Sequence, residues 1–112
     1  MLKIDTINNI YIASFEYINR FNSLISDPVK EQLNNLFSNP KTRLILNLEG
    51  INFIDSTGFG VLLSVLKTAS INYGQFKICS IHKDVMEHFK LLQLLNVFDI
   101  YNNLDECIHS FN

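Results

Sequence analysis

The stretch from Leu44 to Leu63 constrains this chain more than any other. From Thr42 to Leu48 it is almost continuously apolar, which predicts a central strand covered on both faces. The run then gives way to Asp55, Ser56, Thr57 and Gly58, an acid followed by two hydroxyls and a glycine. A strongly apolar helical pattern begins at once. Leu62, Val65, Leu66 and Ala69 form its core stripe, and the helix is expected from Thr57 or Gly58 to about Ile71. Asn72, Tyr73 and Gly74 stop it. Ser56 therefore stands at a helix N-terminus, where free amides and the helix dipole favour negative charge. A hydroxyl in that position can cap the helix, and it is equally placed to carry a phosphate that is added and removed.

The flanking sequence supplies more strands and helices. Leu2 to Asp5 and Ile10 to Tyr17 read as two strands, and Asn8-Asn9 between them suits a tight hairpin turn. Ser26-Asp27-Pro28 reads as a helix start with Asp27 as cap and Pro28 in the first helical position. Val29, Leu33, Leu36 and Phe37 follow at helical spacing, and Asn39-Pro40 ends that helix. Gln75 to Ile81 is a further strand. Asp84 to about Leu92 is a helix with Val85, Phe89 and Leu92 inward, and Val97 to Ile100 is a short strand. Asn103 and Glu106 have the spacing of a capping box, with Leu104, Ile108 and Phe111 facing the core behind it. Strands alternating with helices place the chain in the α/β class.

Bulk properties narrow the function. With 112 residues and a 47% hydrophobic fraction, the chain reads as one globular domain over residues 1–112. The net charge is −2 with no basic block, so no electrostatic footprint for nucleic acid is present. No apolar run approaches the roughly 20 residues that span a bilayer, and Met1 to Asp5 carries no signal-peptide core. Membrane insertion is not expected, and a cytoplasmic location is. Cys79 and Cys107 are expected as reduced, partly buried thiols.

Catalytic and cofactor motifs fail on inspection. Asp55 has no second acid nearby in sequence, and the extra residue in Asp55-Ser56-Thr57-Gly58 separates it from an aspartic-protease loop. Ile54 stands where a nucleophile elbow needs glycine. Gly58 and Gly60 form a Gly-x-Gly, but Leu63 occupies the third glycine position of a dinucleotide fingerprint. His82, His88 and His109 are scattered, and Cys79-x2-His82 lacks a second ligand pair, so neither metal nor cofactor is expected. Asp55, Ser56 and Thr57 are all good capping types, and one of them is expected to cap. Phe59 either joins the core or stands exposed for docking.

Asp55, Ser56, Thr57, Gly58, Phe59 and Gly60 match a known signature position by position. An apolar strand, a short loop, Asp-Ser-[Ser/Thr]-Gly-[apolar]-Gly and a helix make up that signature. The chain resembles the STAS domain family, more narrowly the single-domain bacterial anti-sigma factor antagonists. The resemblance implies a mixed sheet of four to five strands with about four helices, mainly on one face. It implies a regulator rather than an enzyme, with Ser56 as the phosphoacceptor and residues 55–60 as the partner-binding segment. The implied partners are an anti-sigma factor serine kinase of the histidine-kinase-like ATPase type and a serine phosphatase. One stretch departs from the family. Phe15 to Asn22 lacks the usual Gly-x-Leu-Asp, and Arg20, Asn22 and Ser23 stand as a variant docking edge. Two alternatives accompany this reading: an adaptor without phosphorylation, in a stress-signalling or transporter-associated complex, and a small hydrolase using Ser56 or Asp55.

Overall fold

The structure is a computed structural model that describes residues 2–111. Along the chain run β1 (Leu2–Ile7), β2 (Ile10–Phe15), β3 (Arg20–Phe21), α1 (Ser26–Asn35), a 3-10 turn at Leu36–Ser38, β4 (Arg43–Asn47), β5 (Phe53–Ile54), α2 (Ser56–Ile71), β6 (Gln75–Cys79), α3 (Lys83–Leu91), β7 (Asp99–Tyr101) and α4 (Leu104–His109). Asn8 and Asn9, with φ of 52° and 64°, make the two-residue turn between β1 and β2. Such a turn matches the twist of antiparallel strands, and asparagine tolerates the left-handed region better than most residues. β1 reaches Ile7 rather than Asp5 because so short a turn leaves its neighbours paired. β2 stops at Phe15 rather than Tyr17, where Tyr17 takes a φ of 64° and leaves the ladder.

The main sheet has the order β1-β2-β4-β6-β7, antiparallel at the first pair and parallel across the rest. β4 lies at its centre, and Leu44, Ile45 and Leu46 are all 0% exposed. Period-two alternation sends Leu44 and Leu46 to the larger core under α1, α2 and α3. It sends Ile45 to the opposite face, where Ile12, Cys79 and Cys107 pack beneath α4. The apolar run read from sequence is thus buried twice over, and three of the four helices share one face.

Several boundaries differ from the sequence expectation for physical reasons. Asp27 does not cap α1. The amides of Ile25 and Ser26 both donate to the Asn22 carbonyl at 3.1 Å, so the chain turns one residue earlier and Pro28 falls third in the helix. It is harmless there, because first-turn amides have no intrahelical acceptor. β6 ends at Cys79, where Ser80 takes a φ of 62°. α3 ends at Leu91, which swings Leu92 off the inward stripe and leaves it exposed. Val97 is likewise exposed, and the last strand begins at Asp99. Asn103 caps α4 as expected, accepting from the Glu106 amide at 2.8 Å. Cys79 and Cys107 are free and fully buried.

β3 and β5 form a separate two-stranded parallel sheet, with Arg20 opposite Phe53 and Phe21 opposite Ile54. Two residues are too few to carry a periodic signal, so β3 is not legible in the sequence. This small sheet fixes the approach to α2.

Candidate functional site

α2 begins where β5 ends. Asp55 is held in extended backbone by the bond from its amide to the Phe21 carbonyl, 3.1 Å. From there its Oδ1 accepts from the Gly58 amide at 3.0 Å and from the Thr57 hydroxyl at 2.6 Å. Oδ2 accepts from the Ser23 amide at 3.1 Å. Asp55 is therefore the N-cap, and the same carboxylate ties the loop before α1 to the start of α2. The Thr57 hydroxyl, then the Gly58 amide, hold the Asp55 carboxyl below its ordinary value, so it is ionised at neutral pH.

A second tie runs through hydroxyls. Thr57 Oγ1 and Ser26 Oγ are 2.8 Å apart, and Ser26 Oγ lies 2.8 Å from the Asn22 carbonyl. Each hydroxyl has one proton. Thr57 gives its own to the carboxylate, so it accepts from Ser26. Ser26 then shares a single proton between Thr57 and Asn22. Asn22 also accepts the Leu24 amide on its side chain at 3.1 Å.

Ser56 is the exception in this turn. It is exposed, and among the described residues its hydroxyl takes part in none of these bonds. Gly58 is packed inside: a Cβ there would stand 2.6 Å from Ile54 Cγ2 and 2.8 Å from the Phe21 carbonyl oxygen. Phe59 belongs to the core rather than to an exposed docking surface. It is 5% exposed and meets Phe89 edge-on at 5.1 Å. Gly60 is exposed, and a Cβ there would meet nothing within 4 Å. It lies one helical turn after Ser56, on the same side of α2. Arg20 is exposed, its guanidinium 4.0 Å above the Phe53 ring. The structure so gathers Asp55, Thr57, Gly58, Ser26 and Asn22 into one bonded corner, with Ser56 unbonded on its surface and Arg20 on the small sheet.

Two participants escape sequence reading. The local pattern marks Ser26 only as part of a helix start, and His88 only as an unpaired histidine. His88, Leu91 and Leu92 of the α3 region line a cavity of about 250 Å³ with Ile54, Asp55, Ser56 and Phe59. A neighbouring depression of about 330 Å³ includes Ser56, Gly60, Leu63 and Leu92. The exposed leucines beside Ser56 carry no local sequence signal, because their exposure depends on where α3 ends. Aspartate, serine and histidine here share a cavity without forming a catalytic relay. Both Asp55 oxygens are committed elsewhere, and no Ser56–His88 hydrogen bond is present among the described residues. No cluster of three metal-ligating side chains and no helix long and apolar enough to cross a membrane occurs among the described residues.

Known proteins share this fold. The anti-sigma factor antagonist by name BtrV, of Bordetella bronchiseptica, is 24% identical over 110 residues, covering 98% of this chain and 93% of the relative. The structure of an anti-sigma-factor antagonist (STAS) domain protein from Planctomyces limnophilus superposes with a TM-score of 0.89 at 17% identity, over 97% of this chain and 96% of that one. The Bacillus cell fate determinant SpoIIAA in its phosphorylated form superposes with a TM-score of 0.73 at 12% identity, over the whole of both chains. The description "STAS domain" matches residues 3–107, and with the mixed sheet and the Asp55–Gly60 turn in place, the chain belongs to the STAS domain family.

Proposed function

We propose that this chain is an anti-sigma factor antagonist switched by phosphorylation of Ser56. Unmodified, it binds an anti-sigma factor that is also a serine kinase, and so frees a sigma factor. The kinase phosphorylates Ser56 and ends the binding, and a serine phosphatase restores it. The chain is then a cytoplasmic regulator and a substrate, and not an enzyme. One observation carries the reading. Asp55, Thr57 and Gly58 are consumed in building the turn, while the Ser56 hydroxyl is left exposed beside them. The names of the similar proteins support the same assignment.

The physics of the switch follows from that position. A phosphate adds about −1.5 to −2 charge at neutral pH. Within the chain it meets the positive end of α2, a gain of roughly 0.3–1 kcal/mol at an exposed site. The ionised Asp55 beside it opposes part of that gain. The fold is expected to survive. Across an interface the same group is bulky and strongly hydrated, and burying it unpaired costs several kcal/mol, or about 10²–10³ in affinity.

The test compares wild type, Ser56→Ala, Ser56→Asp and the phosphoprotein by thermal melting and by affinity for the kinase partner. Ser56→Ala is expected to bind constitutively and to melt within about 0.5 kcal/mol of wild type, because Asp55 rather than Ser56 is the cap. Ser56→Asp and the phosphoprotein are expected to fold and bind poorly. A phosphoprotein that binds as tightly as wild type sinks the switch. Intact mass after incubation with ATP and the kinase separates this reading from an unphosphorylated adaptor, which would gain no phosphate.

A further inference from the structure

We infer that His88 is a counter-ion, within the same chain, for the phosphate on Ser56. The inference rests on the reading of Ser56 as a modification site. It stands on the cavity that joins three elements of the fold: Ile54 from β5, Asp55, Ser56 and Phe59 from the start of α2, and His88 from α3. The packing of Phe59 against Phe89, with ring centroids 5.1 Å apart, clamps α2 and α3 together next to it. His88 is the residue before Phe89, so its backbone position is set by a buried aromatic pair. The remaining lining is apolar, from Ile54, Phe59, Leu91 and Leu92. Among the described residues that line this cavity, the imidazole is the one group able to carry positive charge, and a phosphate leaning in from Ser56 meets it.

The surrounding charges leave His88 available. Among the described residues, Asp55 is the one carboxylate lining the cavity, and its oxygens are engaged by Thr57, Gly58 and Ser23. On α3, Asp84 lies 3.7 Å from the His82 ring, and Glu87 lies 3.4 Å from Lys90. β5 contributes Phe53 and Ile54, which are uncharged. Arg20 lies over the Phe53 ring and does not line the cavity. Histidine is the side chain that gains charge between pH 5 and 8, the range in which phosphoserine passes from monoanion to dianion. Each charge stabilises the other.

The experiment installs phosphoserine at position 56 by genetic encoding, so that it does not depend on finding the kinase. ³¹P NMR titration of wild type and His88→Gln then reads the second ionisation of the phosphate. That ionisation is expected about 0.5–1 pH unit lower in wild type than in His88→Gln. In wild-type protein, the ring ¹⁵N resonances of His88 are expected to shift on phosphorylation while those of His82 and His109 do not. This comparison needs no substitution and holds if His88→Gln fails to fold. Equal phosphate titrations in the two folded proteins, or unmoved His88 resonances, overturn the pairing. Failure of any kinase to modify Ser56 would overturn the switch instead, and leaves this measurement intact.

Discussion

Gly58 and Gly60 stand two residues apart on α2, and their replacement by alanine should have opposite effects. A methyl at Gly58 would lie 2.6 Å from Ile54 Cγ2 and 2.8 Å from the Phe21 carbonyl oxygen. The isoleucine can rotate, but the oxygen is backbone. It is also bonded to the Asp55 amide at 3.1 Å, so it cannot retreat without loosening the contact that aims the cap. Overpacking of this kind costs about 1–3 kcal/mol, and alanine's better helix propensity returns roughly 0.5–1 kcal/mol. The net loss is about 0–2.5 kcal/mol, a fall in Tm of up to about ten degrees for a domain of this size. At Gly60 no atom lies within 4 Å of the added carbon, so only the propensity term remains. Gly60→Ala should gain roughly 0.5–1 kcal/mol and raise Tm by a few degrees. Thermal melts and urea titrations of both variants measure this directly, and a valine at Gly58 should be worse than alanine. Gly58→Ala melting above wild type, or Gly60→Ala melting clearly below it, would refute the geometric reasoning. Calorimetric titration with the partner adds a second reading. Gly60→Ala that is more stable yet binds more weakly would assign this glycine to the close approach of a partner's backbone.

The Asp55 carboxyl is held below its ordinary value, so its contribution is present above about pH 4 and lost as pH falls through the lowered value. Asp55→Ala should therefore melt below wild type at pH 7, with the gap narrowing as pH falls through the lowered value; a pH-independent gap would count against the cap. Asp55→Asn, which keeps an acceptor, should fold and bind its partner more weakly; a hydrolytic activity of the isolated chain that this variant destroys would instead give Asp55 a chemical role. Phe89 is fully buried between Phe59 and Phe98, and Phe89→Ala should cost about 3–5 kcal/mol in urea unfolding. Cys79 and Cys107 pack in the same small core, where each thiol's neighbour holds Cys79 down and pushes Cys107 up. Both are 0% exposed, so a thiol reagent should label neither until α4 opens; fast labelling of the native protein would contradict that packing.

Local patterns in the chain determined a large part of this protein. The Asn8-Asn9 turn, the doubly buried β4, the helix that starts after Asp55 and the Asn103 cap are each set by neighbours within a few residues. Turn chemistry, side-chain period and capping all act at that range, so the sequence carries them openly. The six-residue run from Asp55 to Gly60 stood out as a candidate site because its resemblance to a family signature is equally local. Tertiary structure decided what crosses the chain. The β3–β5 pair is two residues long and forms only because α2 must be approached from Phe21. Asp55 reaches Ser23 across 32 residues, and Thr57 reaches Ser26 across 31, so the choice of Asp55 as cap and of Ser56 as the free hydroxyl depends on contacts no local window contains. Gly58 and Gly60 look alike in the motif and differ only in what lies above them. His88 is one of three unremarkable histidines until the Phe59–Phe89 contact brings α3 against α2 and places it at the Ser56 cavity, since contact at such separation is set by packing and not by period.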